Sequence, residues 1–201
     1  RLAGVPGLNL LVGLMVTLAF ACVWPLLDGP ALVRGFVLVA SATASAVYWS
    51  ARPQILSFAL TGIVLLLLGR GRAQPRWLYA VPLVMALWAN LHGGFAIGLL
   101  LLGIALGAEL LDAWWARVVT GGPSHTWEER RPLILRLGTV LAVSVGAVAL
   151  NPFGWRLLGY PFETVSIGPL QALIDEWQSP DFHRLETWPF LALLLCLGAV
   201  L

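Results

Sequence analysis

Between residues 77 and 115 the chain reads WLYAVPLVMALWANLHGGFAIGLLLLGIALGAELLDAWW. As a single helix this stretch would be about 58 Å long at about 1.5 Å per residue, nearly twice the roughly 30 Å hydrocarbon core of a bilayer. Asn90-Leu91-His92-Gly93-Gly94 is the plausible break, because its two glycines permit a tight turn. The stretch therefore predicts two antiparallel membrane spans joined at residues 90–94.

Comparable apolar runs, separated by glycine and proline, occur along the whole chain. Hydrophobic residues make up 59% of the sequence and charged residues 11%, against roughly 25% charged residues in soluble domains. We predict an all-α, polytopic transmembrane helix bundle with about seven spans, forming a single transmembrane domain over residues 1–201. The predicted spans, the last one incomplete, are residues 7–27, 31–49, 53–69, 77–91, 95–115, 132–150 and 188–201. Since the chain begins without methionine and stops inside an apolar run, we expect a longer native protein.

The arginines predict the orientation of the bundle. If each span crosses once, most arginines fall on one side, which the positive-inside rule makes cytoplasmic. These arginines are Arg34, Arg70, Arg72, Arg76, Arg117, Arg130, Arg131 and Arg136. The opposite, outer side then holds the breaks at residues 51–54, 90–94 and 151–187, and the last of these is predicted to be an outer loop with short interfacial helices.

Arginines are candidate anion-binding residues on the outer side. Arg52 precedes Pro53 at the start of a span, and its planar fork suits an anionic headgroup or a phosphate. The alternative is a proline at the first helical turn beside an arginine that snorkels to the interface. Arg156 follows a helix stop and an aromatic anchor, and would lie near the surface, where it could also meet an anion.

The turn at residues 90–94 is a more specific signal. Asn90 and His92 lie at or below the membrane surface, where polar groups are costly unless they line a cavity. They are therefore candidates for a polar pocket wall, and a satisfied helix-hairpin turn is the alternative. The glycines that follow, Gly94, Gly98, Gly103 and Gly107, suit close helix packing.

The outer loop contributes three further candidates for substrate binding, Glu176, Asp181 and His183. Functional residues are common in such loops, although a solvated loop is the alternative for each of them. Asp181 and His183 alone are poor evidence for a metal, so no metal or other cofactor is predicted. No basic tract indicates nucleic acid as a partner.

Four segments resemble bacterial integral-membrane proteins of the GT-C glycosyltransferase superfamily, with the closest likeness to protein-mannosyltransferase-like members. The segments are ARPQ at residues 51–54, LWANLHGGF at 87–95, NPFGW at 151–155 and EWQSPDF at 176–182. The resemblance implies a bacterial inner-membrane enzyme that transfers a sugar from a polyprenyl-phosphate carrier at the periplasmic face by an inverting displacement.

In that family the catalytic acid usually lies in the first outer loop, and this sequence shows no such loop carrying an acid. We therefore expect the acid upstream of Arg1, and we expect this chain alone to be inactive. Arg52, His92 and Arg156 would hold the carrier phosphate, and the outer loop would cover the acceptor. A transporter or flippase for a lipid-linked or anionic substrate is the alternative, because transporters place their sites on broken helices. A structural membrane subunit is the third hypothesis.

Overall fold

The computed structural model describes residues 4–118, 125–166 and 180–200, and these residues form helices and connecting turns without a strand. The α-helices are α1 (Gly4–Val23), α2 (Ala31–Ser45), α3 (Gln54–Ala73), α4 (Val81–Leu91), α5 (Phe95–Val118), α6 (His125–Val148), α7 (Tyr160–Ser166) and α8 (Trp188–Val200). Short 3₁₀ segments are Trp24–Leu26, Ala46–Tyr48, Pro75–Ala80, Gly154–Gly159 and Leu185–Thr187.

Five helical segments of the described part of the chain are long and apolar enough to cross a membrane, so the chain is a multi-pass membrane protein. They are Gly4–Leu26, Ala31–Tyr48, Gln54–Ala73, Phe95–Val118 and Trp127–Val148. The 3₁₀ segment Pro75–Ala80 continues into α4, and together they reach about 28 Å at about 2.0 and 1.5 Å per residue. That length nearly matches the roughly 30 Å hydrocarbon core, so this shorter segment is also compatible with a crossing.

The break predicted at residues 90–94 is present: α4 ends at Leu91 and α5 begins at Phe95. A side chain at Gly98 would touch Met85 and Trp88, so the start of α5 lies against the end of α4. The two helices therefore form the antiparallel hairpin that the sequence predicts. Trp88, Phe95 and Met85 are fully buried there and belong to the apolar core of the bundle.

Helices α1 and α3 run in the same direction through the bundle. Gly62 and Gly69 of α3 contact Ala19 and Leu26 at matching heights, so α1 and α3 run in the same direction. The bundle consequently has two chemically different ends. One end carries the starts of α3 and α5 and the end of α6, and we call it the outer end. The other, arginine-rich end carries the ends of α3 and α5 and the start of α6.

Polar contacts confirm this separation. Arg72 reaches Glu109 at the arginine-rich end, whereas Ser57 reaches His92 at the outer end. The predicted motifs at residues 51–54, 90–94 and 151–156 therefore share one end of the bundle. Which end faces the cytoplasm stays a prediction from the arginine asymmetry.

Two details differ from the prediction. α6 begins at His125, so residues 125–131 are helical where a connecting loop was expected, and Pro132 lies inside the helix. Close packing is confirmed for Gly94 and Gly98, whereas side chains added at Gly103 and Gly107 would meet no described residue within 4 Å. The interfacial helix expected near residues 169–177 lies outside the described residues.

Candidate functional site

The turn between α4 and α5 fixes the His92 side chain through one ring nitrogen. The backbone N–H of Gly94 donates to His92 Nδ1 at 3.2 Å, and Ser57 Oγ lies 2.7 Å from the same nitrogen. Since Nδ1 accepts the Gly94 N–H, it carries no proton, and the ring proton of the neutral imidazole is on Nε2. The Ser57 hydroxyl therefore donates to Nδ1.

A buried tryptophan completes this chain of hydrogen bonds. Trp88 Nε1 donates to Ser57 Oγ at 2.7 Å, and the Trp88 side chain is 0% exposed. The order of donation is thus Trp88 to Ser57 to His92, and every donor and acceptor in it has its partner. Such a fully satisfied polar chain holds the imidazole in one orientation, and Nε2–H makes no hydrogen bond to another described residue.

The imidazole is held in its neutral form. Partial burial lowers the pKa of His92 below its usual value of about 6.5. At neutral pH the ring is therefore an uncharged donor. Protonation at lower pH would also place a hydrogen on Nδ1, which would disrupt the bonds from Ser57 and Gly94.

The Ser57–His92 pair has the spacing of a nucleophile and its base, but its surroundings argue against that role. Ser57 is buried, and its oxygen already accepts the Trp88 indole N–H, so no path for a substrate to that oxygen is visible. An oxygen that accepts a hydrogen bond is also a weaker nucleophile. We interpret Ser57 as a positioning residue for His92.

Glycines at residues 93 and 94 are required by the packing around this turn. A Cβ at Gly94 would lie 2.5 Å from Ser57 Oγ and 3.0 Å from His92 Nδ1. A Cβ at Gly93 would lie 2.5 Å from Tyr160 Cε1, so α7 of the outer loop packs directly on the turn. The two glycines let the start of α3 and the outer loop approach His92 from different sides.

Asn90 has a structural task in this arrangement. Its Nδ2 donates to the carbonyl oxygens of Ala86 at 2.8 Å and Leu150 at 2.9 Å. It therefore ties the end of α4 to the end of α6 beside the turn. The Asn90 amide nitrogen is thus bound to two backbone carbonyl groups. The structure therefore assigns Asn90 to the packing of α4 on α6, and its predicted place in a pocket wall stays a prediction.

The two outer arginines lie on the elements that meet the His92 turn. Arg52 immediately precedes α3, which carries Ser57, and its side chain is exposed. Arg156 is exposed in the 3₁₀ segment Gly154–Gly159, which leads directly into Tyr160. The elements carrying Arg52, His92 and Arg156 thus come together, and whether the three side chains reach one anion stays a prediction.

The candidates Asp181 and His183 form a local turn before α8. Asp181 Oδ1 accepts from the backbone N–H of His183 at 3.0 Å and lies 2.9 Å from its Nδ1. The backbone hydrogen bond from His183 lowers the pKa of the exposed Asp181 carboxyl group. No described contact joins the pair to the His92 turn, and the candidate Glu176 lies outside the described residues.

A second polar cluster, which was not predicted from the sequence, lies at the arginine-rich end. The Glu109 side chain of α5 is only 5% exposed, and its Oε1 and Oε2 accept from Arg72 Nη2 at 2.5 Å and Arg130 Nη1 at 2.7 Å. Arg130 also reaches Asp112 at 3.0 Å. Because Arg72 belongs to α3 and Arg130 to α6, this carboxylate joins three helices.

Replacing Ser57 by alanine tests the positioning chain. The variant leaves the buried Trp88 N–H without an acceptor, and we expect the free energy of unfolding to fall by about 1.5 kcal/mol. Reversible unfolding in mixed detergent micelles, followed by circular dichroism, measures the change.

Ser144→Ala is the matched control, because Ser144 is equally buried and its Oγ has no hydrogen-bond partner among the described residues. Removing that hydroxyl should leave stability unchanged or raise it. Equal losses in the two variants would show that the Trp88–Ser57 bond contributes nothing specific.

Comparison with known proteins assigns no family to this chain. No family model, no curated protein and no solved structure matches it. The function proposed below therefore rests on the described geometry and on the resemblance carried by the sequence motifs.

Proposed function

We propose that this chain is part of a membrane glycosyltransferase that takes a sugar from a polyprenyl-phosphate donor at the outer end of the bundle. The observation that supports this proposal is the fixed His92 imidazole, which offers a neutral Nε2–H donor between the elements carrying Arg52 and Arg156. His92 would donate to a phosphate oxygen of the donor lipid, and the bilayer would hold the polyprenyl chain.

The chemistry of sugar transfer suits such donors. When an acceptor oxygen attacks the anomeric carbon, the bond from that carbon to the phosphate oxygen breaks, and the electron pair stays on the phosphate. The charge on the leaving polyprenyl phosphate therefore grows during the reaction. Prepositioned N–H donors and arginine forks stabilise that charge more strongly in the transition state than in the bound donor.

A neutral histidine is suited to this task. A cationic ring would bind any anion at the surface, whereas a neutral, oriented N–H donates to one oxygen position. The orientation comes from Ser57 and Gly94, and both lie on the protein side of the ring. The proposed role of His92 is thus phosphate positioning; proton removal from the acceptor is assigned to none of the described residues.

His92→Ala is expected to weaken binding of undecaprenyl phosphate by about tenfold, the equivalent of about 1.4 kcal/mol and near the low end for a hydrogen bond to a charged group. Binding to the purified protein in lipid nanodiscs is measured by native mass spectrometry, with undecaprenol as the phosphate-free ligand. Arg52→Lys should also weaken binding, because lysine keeps the charge but lacks the bidentate fork.

Arg184→Lys is the matched control, since Arg184 is an exposed arginine of the outer side that belongs to no candidate set. It should bind undecaprenyl phosphate like the unmodified protein. Unchanged binding in His92→Ala, or equal binding of undecaprenol and undecaprenyl phosphate, would overturn the proposal.

A transporter or flippase of a lipid-linked substrate is the second candidate. The specific observation in its favour is Glu109, since a buried carboxylate inside a membrane helix often marks a translocation path. Proteoliposomes that contain the whole native protein, an acceptor and a polyprenyl-phosphate sugar separate the two candidates. A transferase consumes the donor and releases polyprenyl phosphate, whereas a flippase moves the intact lipid between leaflets.

A further inference from the structure

Two arginines, a glutamine and a tryptophan lie together at the arginine-rich end, where the chain folds back after α3. The α3 C-cap, Gln74, has extended backbone, and its N–H donates to the Arg70 carbonyl at 2.9 Å. A Cβ at Gly71 would lie 2.3 Å from Leu78 Cδ2, so the glycine lets the 3₁₀ segment Pro75–Ala80 lie against α3. This fold-back brings Trp77 next to Arg70.

Two guanidinium groups share the Trp77 indole. Arg70 Cζ lies 5.2 Å and Arg76 Cζ 6.0 Å from the centroid of the Trp77 ring. Gln74 Oε1 accepts from Arg76 Nη2 at 2.9 Å and from Trp77 Nε1 at 3.3 Å. One amide oxygen thus orients both the indole and one of the arginines. We call Arg70, Gln74, Arg76 and Trp77 the indole platform.

The charge of the indole platform is not balanced by the described residues. No described carboxylate forms an ion pair with Arg70 or Arg76, whereas the neighbouring Arg72 is paired with Glu109. Cation–π contact stabilises each arginine on the ring but does not remove the repulsion between the two positive charges. An anion bound between them would remove it.

An exposed apolar strip continues from the platform toward the outer end. Tyr79, Leu83 and Leu87 are 60%, 74% and 54% exposed and follow one another at four-residue spacing, which places them on one face. Arg76 precedes Tyr79 by three residues in a 3₁₀ segment, where such residues eclipse, so it heads the same face. Charged side chains next to an exposed apolar strip complement a phospholipid, which has a phosphate and acyl chains, better than they complement a soluble phosphate.

We propose that the indole platform binds the phosphate of an anionic phospholipid in the adjoining leaflet, with its acyl chain along Tyr79, Leu83 and Leu87. The guanidinium groups supply charge-assisted hydrogen bonds to phosphate oxygens, and Trp77 lies at the interfacial depth where indole rings prefer to be. Leaflets rich in anionic lipid attract arginine electrostatically, and the platform adds a defined geometry.

The double variant Arg70→Gln/Arg76→Gln tests this site in the whole protein. Purified protein is equilibrated with nanodiscs of mixed phosphatidylglycerol and phosphatidylcholine, and retained lipid is counted by native mass spectrometry. We expect the double variant to retain at least tenfold less phosphatidylglycerol, with phosphatidylcholine unchanged. Arg117→Gln removes one arginine from the same end without a described contact to the platform, and it should retain lipid within twofold of the unmodified protein.

Two further measurements distinguish a phospholipid ligand from a soluble anion. Leu83→Asn keeps both arginines, and it should lower phosphatidylglycerol retention by severalfold because it makes the strip polar. Glycerol phosphate at millimolar concentration should not displace the lipid. Equal phosphatidylglycerol retention in the double variant would overturn the proposal, and so would displacement by glycerol phosphate or an equal loss in Arg117→Gln.

Discussion

Replacing Glu109 with alanine is expected to lower the free energy of unfolding by about 3 kcal/mol, the low end of the range for breaking a buried ion pair. The carboxylate is nearly fully buried and receives Arg72 and Arg130 on its two oxygens. The change leaves Arg72 without a described carboxylate partner and leaves Arg130 only the exposed Asp112. The estimate stays at the low end because the arginines are 64% and 37% exposed and water can solvate them. Unfolding in mixed detergent micelles measures the loss.

Glu129→Ala is the matched control for Glu109→Ala. Glu129 is an exposed glutamate of α6, near Arg130 in sequence, and its removal should change stability by no more than about 0.5 kcal/mol. Glu109→Gln should remain destabilising, because an amide offers one acceptor oxygen where the carboxylate offers two. A loss of stability below about 1 kcal/mol in Glu109→Ala would contradict the prediction, because it would show that these ion pairs stabilise the protein no more than exposed ones do.

The helix bundle could be predicted from the sequence because the length of each apolar run, compared with the membrane thickness, decides it. Runs of apolar residues near the membrane thickness, interrupted by glycine and proline, predict where helices begin and end. The length of the stretch at residues 77–115 predicts a break, and Gly93-Gly94 predict its position. The early start of α6 was missed because residues 125–131 are polar, and hydropathy detects only the part of a helix that lies in the membrane.

The polar clusters were harder to predict because their partners are distant in the sequence. Arg72 lies 37 residues from Glu109, and Arg130 lies 21 residues from it. Nothing in the local pattern of α5 says which helices will face Glu109. A charged residue inside an apolar run was the available signal, since such residues are costly in membranes and usually have partners.

The His92 turn was identified from its own residues, but its mechanism was not. Histidine beside two glycines at a span end predicted a polar site, and the structure adds its partners. Ser57 lies 35 residues from His92 and 31 residues from Trp88. These partners change the interpretation, because they show which ring nitrogen is committed to the protein. Asn90, equally prominent in the sequence, instead joins the ends of α4 and α6.

The two ends of the bundle therefore hold polar groups of different kinds. At the outer end a chain of neutral hydrogen bonds orients one imidazole beside exposed loops. At the arginine-rich end one buried carboxylate joins three helices, and two arginines without a described carboxylate partner lie near an indole. Ion pairs thus join helices at one end of the bundle, whereas neutral hydrogen bonds orient a side chain at the other.

Gly62→Val is expected to lower the free energy of unfolding by about 3 kcal/mol, at the upper end for overpacking a tight interface. A Cβ at Gly62 would lie 2.8 Å from the carbonyl oxygen and 2.9 Å from Cα of Ala19. These are backbone atoms of a helix, so they cannot rotate aside as a side chain could, and α1 must move away from α3. Close approach at small residues is a main source of helix association in membranes, so the whole interface weakens.

Gly103→Val separates this packing effect from the intrinsic effect of valine in a helix. A Cβ at Gly103 would meet no described residue within 4 Å, and glycine and valine differ by only about 0.5 kcal/mol in helix propensity. Gly103→Val should therefore unfold at nearly the same detergent fraction as the unmodified protein. If both valine variants lose the same stability, the cost arises within each helix, and the contact of α1 with α3 at Ala19 is not what holds these two crossings together.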